Sequence, residues 1–152
     1  MITNNKKIVF KSKFGNIRII SFEEKITSLD FTKSNLYPSS SDFLNKAKIQ
    51  IEEYILGIRD QFSLSLNLIG TDFQLKVWNQ LQVIPYGETY SYLKIAKILN
   101  TSPRAIGNAC GKNPILIIIP CHRVLAVNGN LAGFSALGGI EIKKKLLQNE
   151  NL

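Results

Sequence analysis

The chain has 152 residues, of which 45% are hydrophobic and 20% charged; this excludes a disordered polypeptide and gives room for one ordinary domain or two small ones. The formal net charge is +8, with ten basic and seven acidic residues up to position 70 and nine against four beyond it. That excess suits a polyanionic partner such as nucleic acid, and it equally suits a lysine-rich chain with no such partner, so charge alone leaves both readings open. The longest unbroken apolar run, residues 115–119, is far short of the roughly 20 residues that a membrane-spanning helix needs.

The opening MITNNKKIVF has neither a long apolar core nor a small-residue cleavage site. The two cysteines, Cys110 and Cys121, and the single histidine, His122, cannot complete a four-coordinate Cys/His zinc site. These features predict a cytoplasmic protein in a reducing setting, with no membrane association, no metal and at least one free thiol.

Residues 7–11, 16–21 and 26–31 are rich in β-branched and aromatic side chains, and Phe14-Gly15-Asn16 marks a hairpin turn, which predicts three short strands. A polar loop over 32–41 leads to a helix over 42–56. Ser41 stands at its N-cap, Phe43, Leu44, Ala47, Ile51, Tyr54 and Ile55 form its apolar stripe, and Gly57 ends it. Residues 62–68 alternate and read as a strand or an extended linker. After Gly70 the pattern turns helical. Thr71 or Asp72 caps a helix carrying Phe73, Val77, Trp78 and Leu81, which closes at Pro85-Tyr86-Gly87. Ser91 opens a second helix, and Ser102-Pro103 opens a third after a short turn, the arrangement of a helix-turn-helix. Residues 115–119 read as a buried strand. Gly138-Gly139 precedes a last helix with Ile142, Leu146 and Leu147 inward and Lys143, Lys144 and Lys145 mostly outward. The expected fold class is therefore α+β. A small N-terminal β-sheet and helix domain, residues 1–69, precedes a mainly helical C-terminal domain with a helix-turn-helix, residues 70–152.

Cys121 stands beside the only histidine and two residues before Arg123. An ordinary thiol is only a few per cent thiolate at neutral pH, and a nearby base or cation would raise that fraction. Successive side chains of an extended chain point to opposite sides, so Cys121 and His122 communicate only if the backbone turns there or a water bridges them. The alternative for Cys121 is a small buried hydrophobe. Cys110, with no titratable neighbour in sequence but Lys112, reads as a core cysteine. The helix after Pro103 carries Arg104, Ala105, Gly107 and Ala109. Its small residues suit close packing against another helix or entry into a DNA groove, and the pattern does not choose between them.

At Asn113-Pro114 and the run through Pro120-Cys121-His122-Arg123-Val124 the chain resembles the O6-alkylguanine-DNA alkyltransferase family, the methylated-DNA–protein-cysteine methyltransferases. The resemblance extends through Gly70-Thr71-Asp72-Phe73-Gln74, Val77-Trp78, Ile84-Pro85-Tyr86-Gly87-Glu88-Thr89, Ser91-Tyr92, Arg104-Ala105-Ile106-Gly107, Gly138-Gly139, Lys143, Leu146-Leu147 and Glu150. It covers the chain from about residue 70 onward, while the first 70 residues match in layout. It implies a DNA-repair methyltransferase that acts once per molecule, flipping O6-alkylguanine out of double-stranded DNA and moving the alkyl group to Cys121. O4-alkylthymine is a further possible substrate. It implies no cofactor and a monomer.

By the same resemblance His122 is a water-bridged base, Glu150 orients it and Asn113 braces the turn. Tyr92 and the backbone N–H of Ser135 then meet the leaving guanine. Arg104 is the finger that fills the gap in the duplex, with Ala105 and Gly107 in the minor groove. Leu93 departs from the polar residue of some relatives, the turn before Arg104 is shorter, and Ala136-Leu137 are an insertion. Two other function classes compete: a damage-binding regulator with a vestigial thiol, and a multiple-turnover Cys-His hydrolase.

Overall fold

A computed structural model describes residues 5–131 and 136–152. The chain forms two compact units, Met1–Leu68 and Ile69–Leu152.

The first unit is built on three antiparallel strands in the order β1 (Asn5–Phe10), β2 (Asn16–Phe22) and β3 (Lys25–Thr32). Alternation along β2 buries Ile17, Ile19 and Ser21 on one face. The register shifts at Ile20/Ser21, so Ile26 and Leu29 of β3 both reach the same core despite their odd spacing. Helix α1 (Asp42–Ile55) starts where the Ser41 hydroxyl accepts the Leu44 N–H. It buries Leu44, Ala47, Ile51 and Tyr54, a three- and four-residue spacing that makes one stripe. Leu44 and Ile51 each contribute on the order of 1.5–3 kcal/mol when taken fully from water. Residues 62–68 are extended and meet β3 at one point, where Ile26 N donates to Ser65 O at 2.8 Å and Asn67 N donates to Ile26 O at 2.8 Å.

The second unit opens with α2 (Asp72–Leu81). Thr71 and Gln74 form a reciprocal capping box at its start. A side-chain carbon at Gly70 would lie 2.6 Å from the Trp78 ring, so glycine is required for the chain to pass that close. Buried Trp78 donates its ring N–H to Ala109 O at 2.9 Å and ties α2 to α4. Next come β4 (Tyr90–Ser91), α3 (Tyr92–Leu99) and α4 (Pro103–Gly111). Asn100, left-handed at φ 56°, ends α3, and the Ser102 hydroxyl caps α4 with Pro103 in its first turn. This is the expected helix-turn-helix. Strand β5 (Val124–Leu125) pairs parallel with β4, and α5 (Gly139–Asn149) closes the unit.

Two expectations are corrected here. Residues 115–119 are buried except for half-buried Ile118, but they are not a strand. The backbone folds into consecutive tight turns: Ile119 N donates to Ile115 O at 3.0 Å and Ile118 N to Leu116 O at 2.8 Å. Ile117 sits between the partners of that second bond with φ 70°, a γ-turn geometry that a β-branched residue rarely adopts. The other correction is Lys143, which is 1% exposed whereas Lys144 and Lys145 are exposed.

Candidate active site

The tight turns deliver Cys121. Asn113, just beyond the end of α4, holds the loop from inside. Its Oδ1 accepts the Ile115 N–H at 3.0 Å, and its Nδ2 donates to Ile119 O at 2.8 Å and to Cys121 Sγ at 3.2 Å. Pro120, at φ −82° and ψ 63°, makes an inverse γ-turn closed by Cys121 N to Ile119 O at 2.8 Å. The chain then coils as a single 3-10 turn, Cys121–Arg123, so neighbouring side chains leave it in different directions from those of an extended segment. All three side chains are buried, with Cys121 3% exposed and His122 0%.

His122 Nε2 lies 2.7 Å from Glu150 Oε2. A carboxylate only accepts, so Nε2 carries the proton and Nδ1 is the basic nitrogen. Arg123 donates Nε to Glu150 Oε1 at 2.8 Å, Nη2 to Oε2 at 3.1 Å and Nη1 to Ile84 O at 2.8 Å. Burial is the main influence on His122 and lowers its pKa. The Glu150 carboxylate works against that, while the charges of Arg123 and Lys143 add to it. An imidazole kept neutral in this way is ready to take a proton.

Burial also dominates at Cys121 and pushes the thiol up. The Asn113 N–H, the Lys143 charge and a backbone hydrogen bond pull the other way and favour the thiolate. Sulfur is thus a protonated thiol until a base relieves it, and the stabilising groups stand around it already.

Tyr92 and Lys143 both lie within electrostatic reach of the sulfur. Lys143 Nζ donates to Val124 O at 2.7 Å and to the Tyr92 hydroxyl at 3.4 Å. A hydroxyl that accepts from an ammonium keeps its own proton to give. Burial raises the Tyr92 pKa, so the phenol stays protonated. Cys110 is close enough for its charge to act on Tyr92 and Lys143 and to feel the charge of Cys121, and it is partly exposed. The expectation of a core cysteine is therefore corrected: Cys110 is only partly buried, and beyond its sequence neighbour Lys112 it interacts electrostatically with Cys121 and Lys143.

Beside Tyr92 opens a mostly apolar cavity of about 550 Å³, lined also by Leu93, Pro103, Arg104, Gly107, Ala126 and Val127. Its size lies in the usual range for small-ligand sites, about 300–1,000 Å³. Gly107 faces this space. A side-chain carbon there would meet Tyr92 only at 3.9 Å, so tight helix packing does not demand glycine at 107. Ile106 and Ala109 do the packing of α4, while Arg104 is exposed at the rim of the cavity. Ala105 is half-buried on the turn between them.

The structure therefore brings Cys121, His122, Glu150, Asn113 and Tyr92 together, and sets Arg104 and Gly107 at the adjoining opening. Ser135, expected to supply a backbone N–H, lies outside the described residues. Lys143 belongs to the family resemblance, but the sequence gives it no role. Its signal was present in the helical spacing, since it adjoins Ile142 and precedes Leu146 by three. Among the described residues no group of three His, Cys, Asp or Glu side chains could hold a metal, and no helix is long and apolar enough to cross a membrane.

A buried cysteine backed by an imidazole–carboxylate pair, on a unit that also carries a helix-turn-helix, defines a thiol-dependent protein built to meet nucleic acid. Comparison with known proteins agrees. Residues 72–152 match the model of the 6-O-methylguanine DNA methyltransferase DNA-binding domain, and residues 5–68 match the ribonuclease-like domain of the same proteins. The chain is 38% identical over 151 residues to the methylated-DNA–protein-cysteine methyltransferase of Methanosarcina acetivorans, covering 93% of this chain and 96% of the relative. It is 40% identical over 144 residues to that of Metallosphaera sedula, with 93% and 90% covered. The crystal structure of Mycobacterium tuberculosis O6-methylguanine methyltransferase superposes with a TM-score of 0.86 at 36% identity, covering 96% of this chain and 92% of that one. The chain belongs to the methylated-DNA–protein-cysteine methyltransferase family.

Proposed function

We propose that this protein repairs O6-alkylguanine in double-stranded DNA by moving the alkyl group to Sγ of its own Cys121, once per molecule. As a member of its family it is a methyltransferase of direct DNA repair whose acceptor is a cysteine. A relative from Mycobacterium tuberculosis, 37% identical with a TM-score of 0.84, has been solved in complex with DNA. The observation that carries the reading is the sulfur of Cys121, held at 3.2 Å by the Asn113 amide, with His122 next to it in the same buried turn and 2.7 Å from Glu150.

The chemistry follows from the groups present. The Cys121 proton passes to His122 Nδ1 through a water, and Glu150 stabilises the imidazolium. The sulfur lone pair then forms an S–C bond while the C–O6 bond of the lesion breaks in line. Negative charge develops on the guanine, the Tyr92 hydroxyl, backed by Lys143, supplies the proton, and the proton taken up by His122 is returned through solvent to Tyr92, so that the thiol proton ends in effect on the guanine. The thioether has no route back to a thiol, so one molecule removes one group.

Cys121 is too buried to meet a base that stays stacked in a duplex, so the nucleotide must be turned out. The cavity beside Tyr92 receives it. Arg104 takes the vacated place in the stack, while the low relief of Ala105 and Gly107 lets α4 approach the minor groove. The protein acts as a monomer.

Intact-protein mass measured after incubation with duplex O6-methylguanine tests this. The expected result is a gain of one methyl on the Cys121 peptide and none in Cys121→Ala. Repeated turnover would make the protein a hydrolase, and tight lesion binding without any mass gain would make it a damage-binding regulator.

A further inference from the structure

The turn that follows α2, residues 84–87, reads in the sequence as a helix stop and as part of the family resemblance, with no role attached, yet it packs against the Arg123–Glu150 pair. Ile84 O accepts Arg123 Nη1 at 2.8 Å, and the Tyr86 ring lies 5.7 Å from the guanidinium. The Tyr86 hydroxyl donates to Asn149 O at 3.3 Å, and Gly87 N donates to Glu150 Oε1 at 3.0 Å.

Four of the N–H groups that meet the Glu150 carboxylate come from three described residues. His122 Nε2 and Arg123 Nη2 meet Oε2, while Arg123 Nε and Gly87 N meet Oε1. His122 and Arg123 belong to the same three-residue turn as Cys121, so they hold the carboxylate relative to that turn. Of these four donors only Gly87 comes from another element, 63 residues from Glu150 in sequence. Gly87 is left-handed, with φ 80°, where other residues are strained. Space is not the reason for glycine, since an added side-chain carbon would have Glu150 O as its nearest neighbour at 3.8 Å. The residue is small because of how its backbone must turn.

We propose that Gly87 is a positioning residue for the transfer reaction: its backbone N–H, presented from the turn after α2, fixes the Glu150 carboxylate in the orientation that holds His122 beside Cys121. This rests on the reading of His122 as the base. Side-chain carboxyl torsions are soft, and a point of attachment outside the reactive turn locates the His–Glu pair against the rest of the unit. The charged and titratable groups that face the imidazole are Glu150, Arg123 and Lys143 of α5; Cys121 precedes it in the chain. Removing the Gly87 N–H concentrates charge on the carboxylate, so the His122–Glu150 pair holds its proton more tightly.

The test replaces Gly87 in the full chain by glycolic acid, which turns the N–H into an ester oxygen and leaves every side chain in place. Methyl-transfer rate against pH, melting temperature and duplex binding are measured beside the wild type. The expected result is a plateau rate lower by roughly tenfold, equivalent to the weaker end of a hydrogen bond to a charged group. The acid limb of the profile moves up by about half a pH unit. An acid limb in the wild-type position overturns the proposal, even if the melting temperature falls, because a merely structural turn would lower stability alone. If the ester chain does not fold, Gly87→Ala is read by the same limb, because strain at φ 80° draws the N–H away from Glu150 Oε1: displacement supports the proposal and a fixed position overturns it. Wild-type protein that transfers no methyl overturns the function reading, and this inference falls with it.

Discussion

Arg123 grips Glu150 with two nitrogens, Nε at 2.8 Å from Oε1 and Nη2 at 3.1 Å from Oε2, so the oxygen that meets His122 cannot turn away without breaking a paired contact. Both partners are buried, with side-chain exposures of 7% and 0%. The carboxylate therefore serves two purposes, as partner of the base and as counter-charge of a buried guanidinium.

Glu150→Gln exposes that double role. An amide leaves Arg123 buried without an anion, which costs about 3–5 kcal/mol. It also leaves the imidazolium unsupported, so the methyl-transfer rate falls by roughly a hundredfold. Denaturant unfolding and single-turnover kinetics on one preparation measure both. A variant with wild-type stability and a slow rate would show that Arg123 has another counter-charge.

Asn113→Asp keeps the acceptor for the Ile115 N–H and removes the donors to Ile119 O and Cys121 Sγ. It also places a negative charge beside the sulfur, which pushes the thiol pKa higher still. Transfer should slow at neutral pH and recover in part as pH rises. Asn113→Ala lacks the added charge, so its loss should depend less on pH. Matching profiles for the two variants would separate Asn113 from the thiolate.

The capping signals were the most legible part of the chain. Ser41, Ser91 and Ser102 each cap the helix they were expected to cap, because a short hydroxyl before an apolar stripe has one economical use. The β2–β3 turn was not legible: Glu23 and Glu24 hold φ 50° and 58°, where Asn and Gly are usual. The run at 115–119 misled for a related reason. Isoleucine-rich segments suit strands, but Asn113 supplies from its side chain the hydrogen bonds that a neighbouring strand would have given. In the site, Cys121 and its neighbours were legible as a motif. The roles of Lys143 and Gly87 were not, since one depends on which side of α5 faces the sulfur and the other on a backbone N–H that no side chain announces.

Cys110 should leave a mark on alkaline stability. Burial, with the Cys121 charge, pushes its pKa from 9.0 up to about 12. The folded state then holds a proton that the unfolded chain gives up, so the contribution is complete below about pH 9 and is lost as pH rises toward 12. Lys143, whose pKa is lowered by burial, acts with the opposite sign and is common to both proteins compared. Cys110→Ala should therefore show a shallower fall in unfolding free energy over that interval. Parallel curves for the variant and the wild type would contradict the assignment.

Arg104→Ala concerns only the duplex. Arg104 is exposed at the cavity rim, so stability should stay within about 0.5 kcal/mol of wild type. The rate on duplex O6-methylguanine should drop by at least roughly tenfold, since turning out the nucleotide costs a few kcal/mol that the arginine offsets. On single-stranded substrate the two proteins should converge. An equal drop on both substrates would remove Arg104 from base extrusion.

Ile117 constrains how sequences at this turn can vary. Its left-handed backbone favours glycine, whereas its side chain is 1% exposed and fills the core. Glycine there would relax a strain of about 1–3 kcal/mol and open a void whose cost is of similar size. The two demands meet in one residue, so no single replacement satisfies both, and a sturdier version of this protein has to be sought elsewhere in the chain.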